Sequence, residues 1–216
     1  MIREQQKTIL LVHPLGYSAK NAASDVSRMA NIMPPLGLAS ISAYLEKHNI
    51  HNDIIDCYAH PESDTLIKEY LRRHQPPYIA FSCTTSSFYD GLRLAHLARQ
   101  VDSNIRIIFG GVHVSAMKEE ILRENDVIDF TVVGEGEETL RHLLSHDYLN
   151  ISEVAGITYR DPSGESCFSG YRENLPELDT LPFPAYEKLS GYPDVYKLPI
   201  FNYPSTPNTS CISSRG

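Results

Sequence analysis

The chain has 216 residues, 42% of them hydrophobic, which is enough for one packed core and a small appendage. A formal charge of -8 at pH 7 argues against a nucleic-acid binder, which usually presents a basic face. No apolar run approaches the ~18 residues needed to span a membrane, and MIREQQKTILLV lacks the apolar core of a signal peptide. The cysteines Cys57, Cys83, Cys167 and Cys211 lie far apart with no C-x-x-C pair, as expected of a reduced, cytoplasmic protein without a disulfide framework.

From Thr8 to about Val133 apolar runs alternate with helical stretches. TILLVH (8–13), NDIIDC (52–57), YIAFSC (78–83), IRIIFG (105–110) and DFTVVG (129–134) read as strands covered on both faces. LGLASISAYLEKHN (36–49) places Leu38, Ile41 and Leu45 on one helical face. DGLRLAHLARQV (90–101) does the same with Leu94, Leu97 and Val101. Pro34 and Pro35 stand at the start of the first of these helices, where a missing N–H does least harm. The pattern predicts an α/β fold with a five-stranded parallel sheet, helices on both faces and right-handed crossovers.

After about residue 150 the pattern changes. VAGITYRDPSGESCFSG carries a turn, Asp161-Pro162-Ser163-Gly164, between two short strand-like runs and predicts a hairpin. The Pro- and Tyr-rich stretch from Pro176 to Gly216 reads as an extended connector lying on a surface. The expected division is therefore an α/β domain over 1–150, with hairpin and linker over 151–216.

In an open parallel sheet, ligands bind beyond the carboxyl ends of the strands. The segments there are HPLGYS (13–18), SCTTSS (82–87), GGVHVS (110–115) and GEGEET (134–139), all of them small or polar. Each has a plainer reading. Gly110-Gly111 serves equally as a tight turn, and Ser86 or Ser87 as a helix cap. GEGEET lacks the third glycine of a dinucleotide loop, and Glu137 and Glu138 read as first-turn acids complementing a helix dipole. His113, beside the double glycine, is a candidate contact, although a lone loop histidine is more often solvated. His48, His51, His60, His74, His96, His142 and His146 show no metal-ligand spacing, so no metal held by this chain is expected.

Taken together, S-C-T-T after the third strand and G-G after the fourth resemble the cobalamin-binding domain, a flavodoxin-like (Rossmann-like) fold in which the cofactor's nucleotide tail threads between strands. PPLGLASISAYLEKHN, GGVHVSAMKEEIL, VVGEGEETL and LDTLPFPAYEKL narrow the resemblance to the N-terminal half of cobalamin-dependent radical S-adenosylmethionine enzymes, including the anaerobic Mg-protoporphyrin monomethyl ester cyclases and radical methyltransferases. The resemblance implies that Ser82 and Thr84 bond to the tail and that Gly110 and Gly111 clear room for its aromatic base. Cys83, Thr85, Val112, His113, Gly134, Glu135 and Gly136 complete that rim. Pro14, Leu15, Gly16 and Tyr17, with Met33, Pro34, Pro35 and Leu36, would cover the corrin.

The same resemblance implies a longer enzyme in which a 4Fe-4S cluster, S-adenosylmethionine and a small-molecule substrate serve methyl transfer or oxidative cyclisation. Cluster-binding cysteines would follow the ISSRG at 212–216, so this chain alone would be inactive, with no catalytic residue. The D-x-H-x-x-G motif is absent. Leu11 stands at its acidic position and His13 lies on the strand, so the motif's carboxylate is not there to fix the imidazole tautomer. Cobalamin is therefore expected base-off, with no imidazole beneath cobalt. The alternative is a flavin- or nucleotide-binding module of flavodoxin type, which would want its hydroxyl-rich loop after the first strand.

Overall fold

The computed structural model describes residues 8–16, 33–60, 62–146, 148–173 and 177–196. The strands are β1 (Ile9–His13), β2 (Asn52–Asp56), β3 (Tyr78–Ser82), β4 (Arg106–Gly110), β5 (Phe130–Val132), β6 (Ile157–Arg160) and β7 (Ser166–Phe168). The helices are α1 (Leu36–Lys47), α2 (Ser63–His74), α3 (Phe88–Val101), α4 (Val112–Met117), α5 (Glu119–Glu124) and α6 (Gly136–Ser145). They build one seven-stranded sheet in the order β2-β1-β3-β4-β5-β6-β7. The five expected strands run parallel in the flavodoxin order. The hairpin does not stand apart: β6 joins β5 antiparallel and carries β7, so the sheet has seven strands rather than five. At its turn the Asp161 carboxylate accepts the N–H groups of Ser163 and Glu165.

Strand alternation sorts the core into two layers. Leu10, Val12, Ile79, Phe81, Ile107 and Phe109 face α2 and α3, packing with Ile67, Leu71, Leu94 and Ala98. Leu11, Ile54, Ala80, Ile108 and Val132 face α1 and α6, packing with Leu38, Leu45, Leu140 and Leu143. The described part of the connector is more than an extended surface strap. Leu189 and Tyr196 are buried in this second layer, Ala185 N–H donates to the Ala39 carbonyl at 2.9 Å, and Lys188 pairs with Glu46 and donates to the Asn52 carbonyl. Among the described residues, no helix is long and apolar enough to cross a membrane.

Candidate functional site

The chain runs from β1 to β2 on one side and to β3 on the other. The crevice that this reversal opens is where doubly wound sheets bind ligands. A cavity of about 360 Å³ lies there, in the size range of small-molecule sites. Leu11, Ala80 and Ile108 form one cross-strand row of its floor, and Val132 extends that floor onto β5. Gly37, Leu38 and Ile41 of α1 form one wall; Gly136, Glu137 and Leu140 of α6 form the other. Ser82 and Gly110, paired one row nearer the carboxyl ends, stand at the mouth with Gly111, Gly134 and Glu135.

The two adjacent glycines have different physical reasons. A Cβ at Gly110 would meet nothing closer than the Val132 carbonyl oxygen at 3.7 Å, an ordinary contact. A Cβ at Gly111 would lie 2.5 Å from the Cys83 carbonyl oxygen and 2.8 Å from its nitrogen, and Gly111 has φ +98°. The backbone itself therefore demands glycine at 111. Gly111 also stands at the cavity mouth, but its glycine is required first by the chain itself, because it lets β4 turn against the end of β3. At Gly110 the space on the cavity side is open.

The S-C-T-T run divides in the same way. Ser82 lines the cavity. Cys83 points to the opposite layer, with Phe88 and Phe109, and burial pushes its thiol up. β3 ends at Ser82, so alternation no longer aims Thr84 inward. Thr84 is exposed, its hydroxyl 3.0 Å from that of Ser86, and Thr85 is exposed beside it. Ser87 occupies the cap position of α3 but makes no cap bond; its hydroxyl accepts the Thr84 N–H at 2.9 Å and closes the loop.

Glu137 and Glu138 do more than complement a dipole. Glu137 is only 4% exposed and accepts the Ser40 hydroxyl at 2.7 Å across to α1. Glu138 accepts the Tyr44 hydroxyl at 2.8 Å and pairs with Arg141. The guanidinium of Arg141, against some burial, holds its carboxyl at about 2. Gly136 faces α1 across the slot: a Cβ there would sit 2.7 Å from Ile41 Cδ1, the movable tip of that side chain. Gly134, at φ +80°, donates its N–H to Ser115 Oγ at 3.0 Å.

The remaining expected contacts lie elsewhere. Pro14 and Leu15 are buried in protein: Leu15 packs with Cys57 and Phe88, and its N–H donates to Asp90 at 2.9 Å. Gly16 sits against the Tyr58 hydroxyl, and Tyr17 lies outside the described residues. Met33 and Val112 are exposed at the carboxyl edge, 48% and 70% respectively, while Pro34 is buried and Pro35 and Leu36 are half-buried. None of these four from Met33 to Leu36 lines the cavity. The His113 ring packs on Phe88 at 4.5 Å, on the other side of the sheet. His13 does have a carboxylate. Its Nδ1 is 2.9 Å from Asp56 Oδ1 and its ring stacks on Tyr58, which corrects the reading that it lacked an orienting partner. Among the described residues no group of three or more His, Cys, Asp or Glu side chains could hold a metal ion.

A flavodoxin-like sheet with an apolar slot opening between its carboxyl ends defines a ligand-binding α/β domain. The family model of the B12 binding domain matches residues 25–144, and the chain belongs to that family. It is a cobalamin-binding domain; the flavin alternative is not favoured. An uncharacterized methyltransferase, PH0819, of Pyrococcus horikoshii is 30% identical over 161 residues, covering 72% of this chain and 34% of that protein. The anaerobic magnesium-protoporphyrin IX monomethyl ester cyclase of Rubrivivax gelatinosus is 26% identical over 180 residues, covering 80% of this chain and 31% of its own. The chain thus spans about a third of the length of these relatives. In fold it is similar to the cobalamin-dependent S-adenosylmethionine radical enzyme OxsB, solved with aqua-cobalamin and S-adenosylmethionine bound. The TM-score is 0.67 and the identity 22%, over 84% of this chain and 24% of that one.

Proposed function

We propose that the domain holds cobalamin base-off, with the nucleotide tail in the slot between α1, α6 and the sheet. The observation that carries this reading is the cavity itself: an apolar floor drawn from four strands, opening past Ser82 and Gly110 at the carboxyl edge. The residues fit such a group. Gly110 leaves open space where a side chain would stand, and Ser82, which lines the mouth, would offer its hydroxyl to a ring nitrogen or the tail's polar atoms. Exposed Met33 and Val112 supply apolar surface beside the mouth for the corrin. Cobalamin would bring a cobalt centre able to carry a methyl group.

By the names of the relatives, the whole protein would be a radical S-adenosylmethionine enzyme acting by methyl transfer or cyclisation; the 4Fe-4S cluster and the small-molecule substrate are what the sequence resemblance adds. In that reading residues 1–150 form the cofactor domain and 151–216 lead toward the cluster domain. Titration with hydroxocobalamin, with flavin mononucleotide as control, tests the binding. Saturable spectral change with the first and none with the second is expected; the reverse would favour a flavin module. Bound cob(II)alamin should lack nitrogen superhyperfine splitting in its electron paramagnetic resonance spectrum. A three-line splitting lost in His13→Ala would instead make the Asp56-oriented imidazole the axial ligand.

A further inference from the structure

We infer that the slot selects corrinoids whose nucleotide base is an apolar bicycle of the benzimidazole type over those carrying a purine. This rests on the tail-insertion reading above and concerns what the slot can satisfy once a base is inside. Leu11, Ile41, Ala80, Ile108, Val132 and Leu140 present only hydrocarbon to the cavity. The floor's backbone groups lie within parallel ladders, Leu11 opposite Ala80 and Ala80 opposite Ile108, so they are committed to the sheet. Among the described residues, Ser82 carries the one side-chain donor in the lining. The other polar side chains there, Glu135 and Glu137, are carboxylates, and Glu137 Oε1 already accepts from Ser40.

A benzimidazole joined to its ribose through one nitrogen keeps a single ring acceptor, which one hydroxyl at the mouth can satisfy. A purine carries further ring acceptors and an amino group. The amine could find a carboxyl oxygen, but within the slot the added acceptors meet hydrocarbon or the oxygen atoms of Glu137, lone pair against lone pair. Polar atoms buried without partners weaken binding.

Three corrinoids titrated against the full chain decide the matter: hydroxocobalamin, its analogue with adenine as base, and cobinamide, which has no nucleotide. Hydroxocobalamin should bind at least tenfold tighter than the adenine form, a gap of about 1.4 kcal/mol. Equal affinity of the two complete corrinoids, both above cobinamide, would overturn the selectivity and leave tail insertion standing. Cobinamide binding as tightly as hydroxocobalamin would overturn tail insertion itself, and absence of binding by all three would overturn the cofactor reading. Ala80→Ser puts a hydroxyl on the floor and should narrow the ratio at least threefold by strengthening the adenine form. A folded variant with an unchanged ratio would refute the role given to the floor. If that variant does not fold, the wild-type ratio alone decides.

Discussion

Gly110 and Gly111 are neighbours whose substitution should fail in different ways. Gly111→Val forces a branched residue into φ +98° and drives its Cβ into the Cys83 backbone, so it should lower the melting temperature sharply or prevent folding. Gly110→Ala meets only ordinary contacts and should melt near wild type while weakening hydroxocobalamin binding severalfold. Melting curves and absorbance titrations on both variants separate the two effects. Thiol chemistry offers a second check. Cys57 and Cys83 are 0% and 1% exposed, and burial pushes the Cys57 thiol up to about 12. Iodoacetamide on the native protein should therefore spare both while modifying half-buried Cys167, as peptide mapping would read. At this scale the sequence disclosed Ser82 and the glycines, whose types are conspicuous at a strand end. It could not disclose Leu11, Ala80, Ile108 or Val132, because alternation does not distinguish a side chain that fills a core from one that lines a cavity. Nor could it pair His13 with Asp56, which lies 43 residues away and becomes adjacent only through the β1–β2 register.

Among the elements, α1 is held from both sides. α6 bonds it through Ser40–Glu137 and Tyr44–Glu138, fixing the width of the slot. The connector bonds it through Lys47 to the Thr180 carbonyl at 2.7 Å and through Ala185 to Ala39. Leu189 is 2% exposed in the same layer as the cavity floor. Leu189→Ala should cost about 2–5 kcal/mol in urea unfolding, a loss that a connector merely lying on the surface would not produce. The five parallel strands were legible because strands covered on both faces read as continuous apolar runs. The docking of 177–196 was not. Proline and tyrosine suit an exposed linker and a packed strap equally, and the contacts that decide between them are long-range. The joining of β6 to β5 escaped for the same reason, since a hairpin's own turn says nothing about which strand it will meet.

For the molecule as a whole, acid stability follows from three depressed groups. Burial would raise Glu46, but the Lys188 ammonium, the Asn52 N–H and His51 outweigh it and lower the carboxyl. Glu138 lies at about 2, held there chiefly by Arg141, and burial with Arg172 lowers His142 below 6.5. Each binds its proton more weakly folded than unfolded, so each contributes fully above its ordinary value and loses that contribution as pH falls through the folded one. Urea midpoints should decline gently below pH 6.5 and more steeply from about pH 4.5 toward 2. Glu138→Gln should flatten the steeper limb; an unaltered limb would show that the Arg141 pair is screened away by solvent. The strap that returns to α1 also has a consequence for biosynthesis. Lys188 reaches Glu46 across 142 residues of chain, while β1, the earliest of the described strands, lies in the interior of the sheet between β2 and β3. Synthesis adds about 5–20 residues per second, so for several seconds the nascent sheet presents Ile54 and its neighbours without Leu189 and Tyr196 over them. That face is completed only when the strap leaves the ribosome.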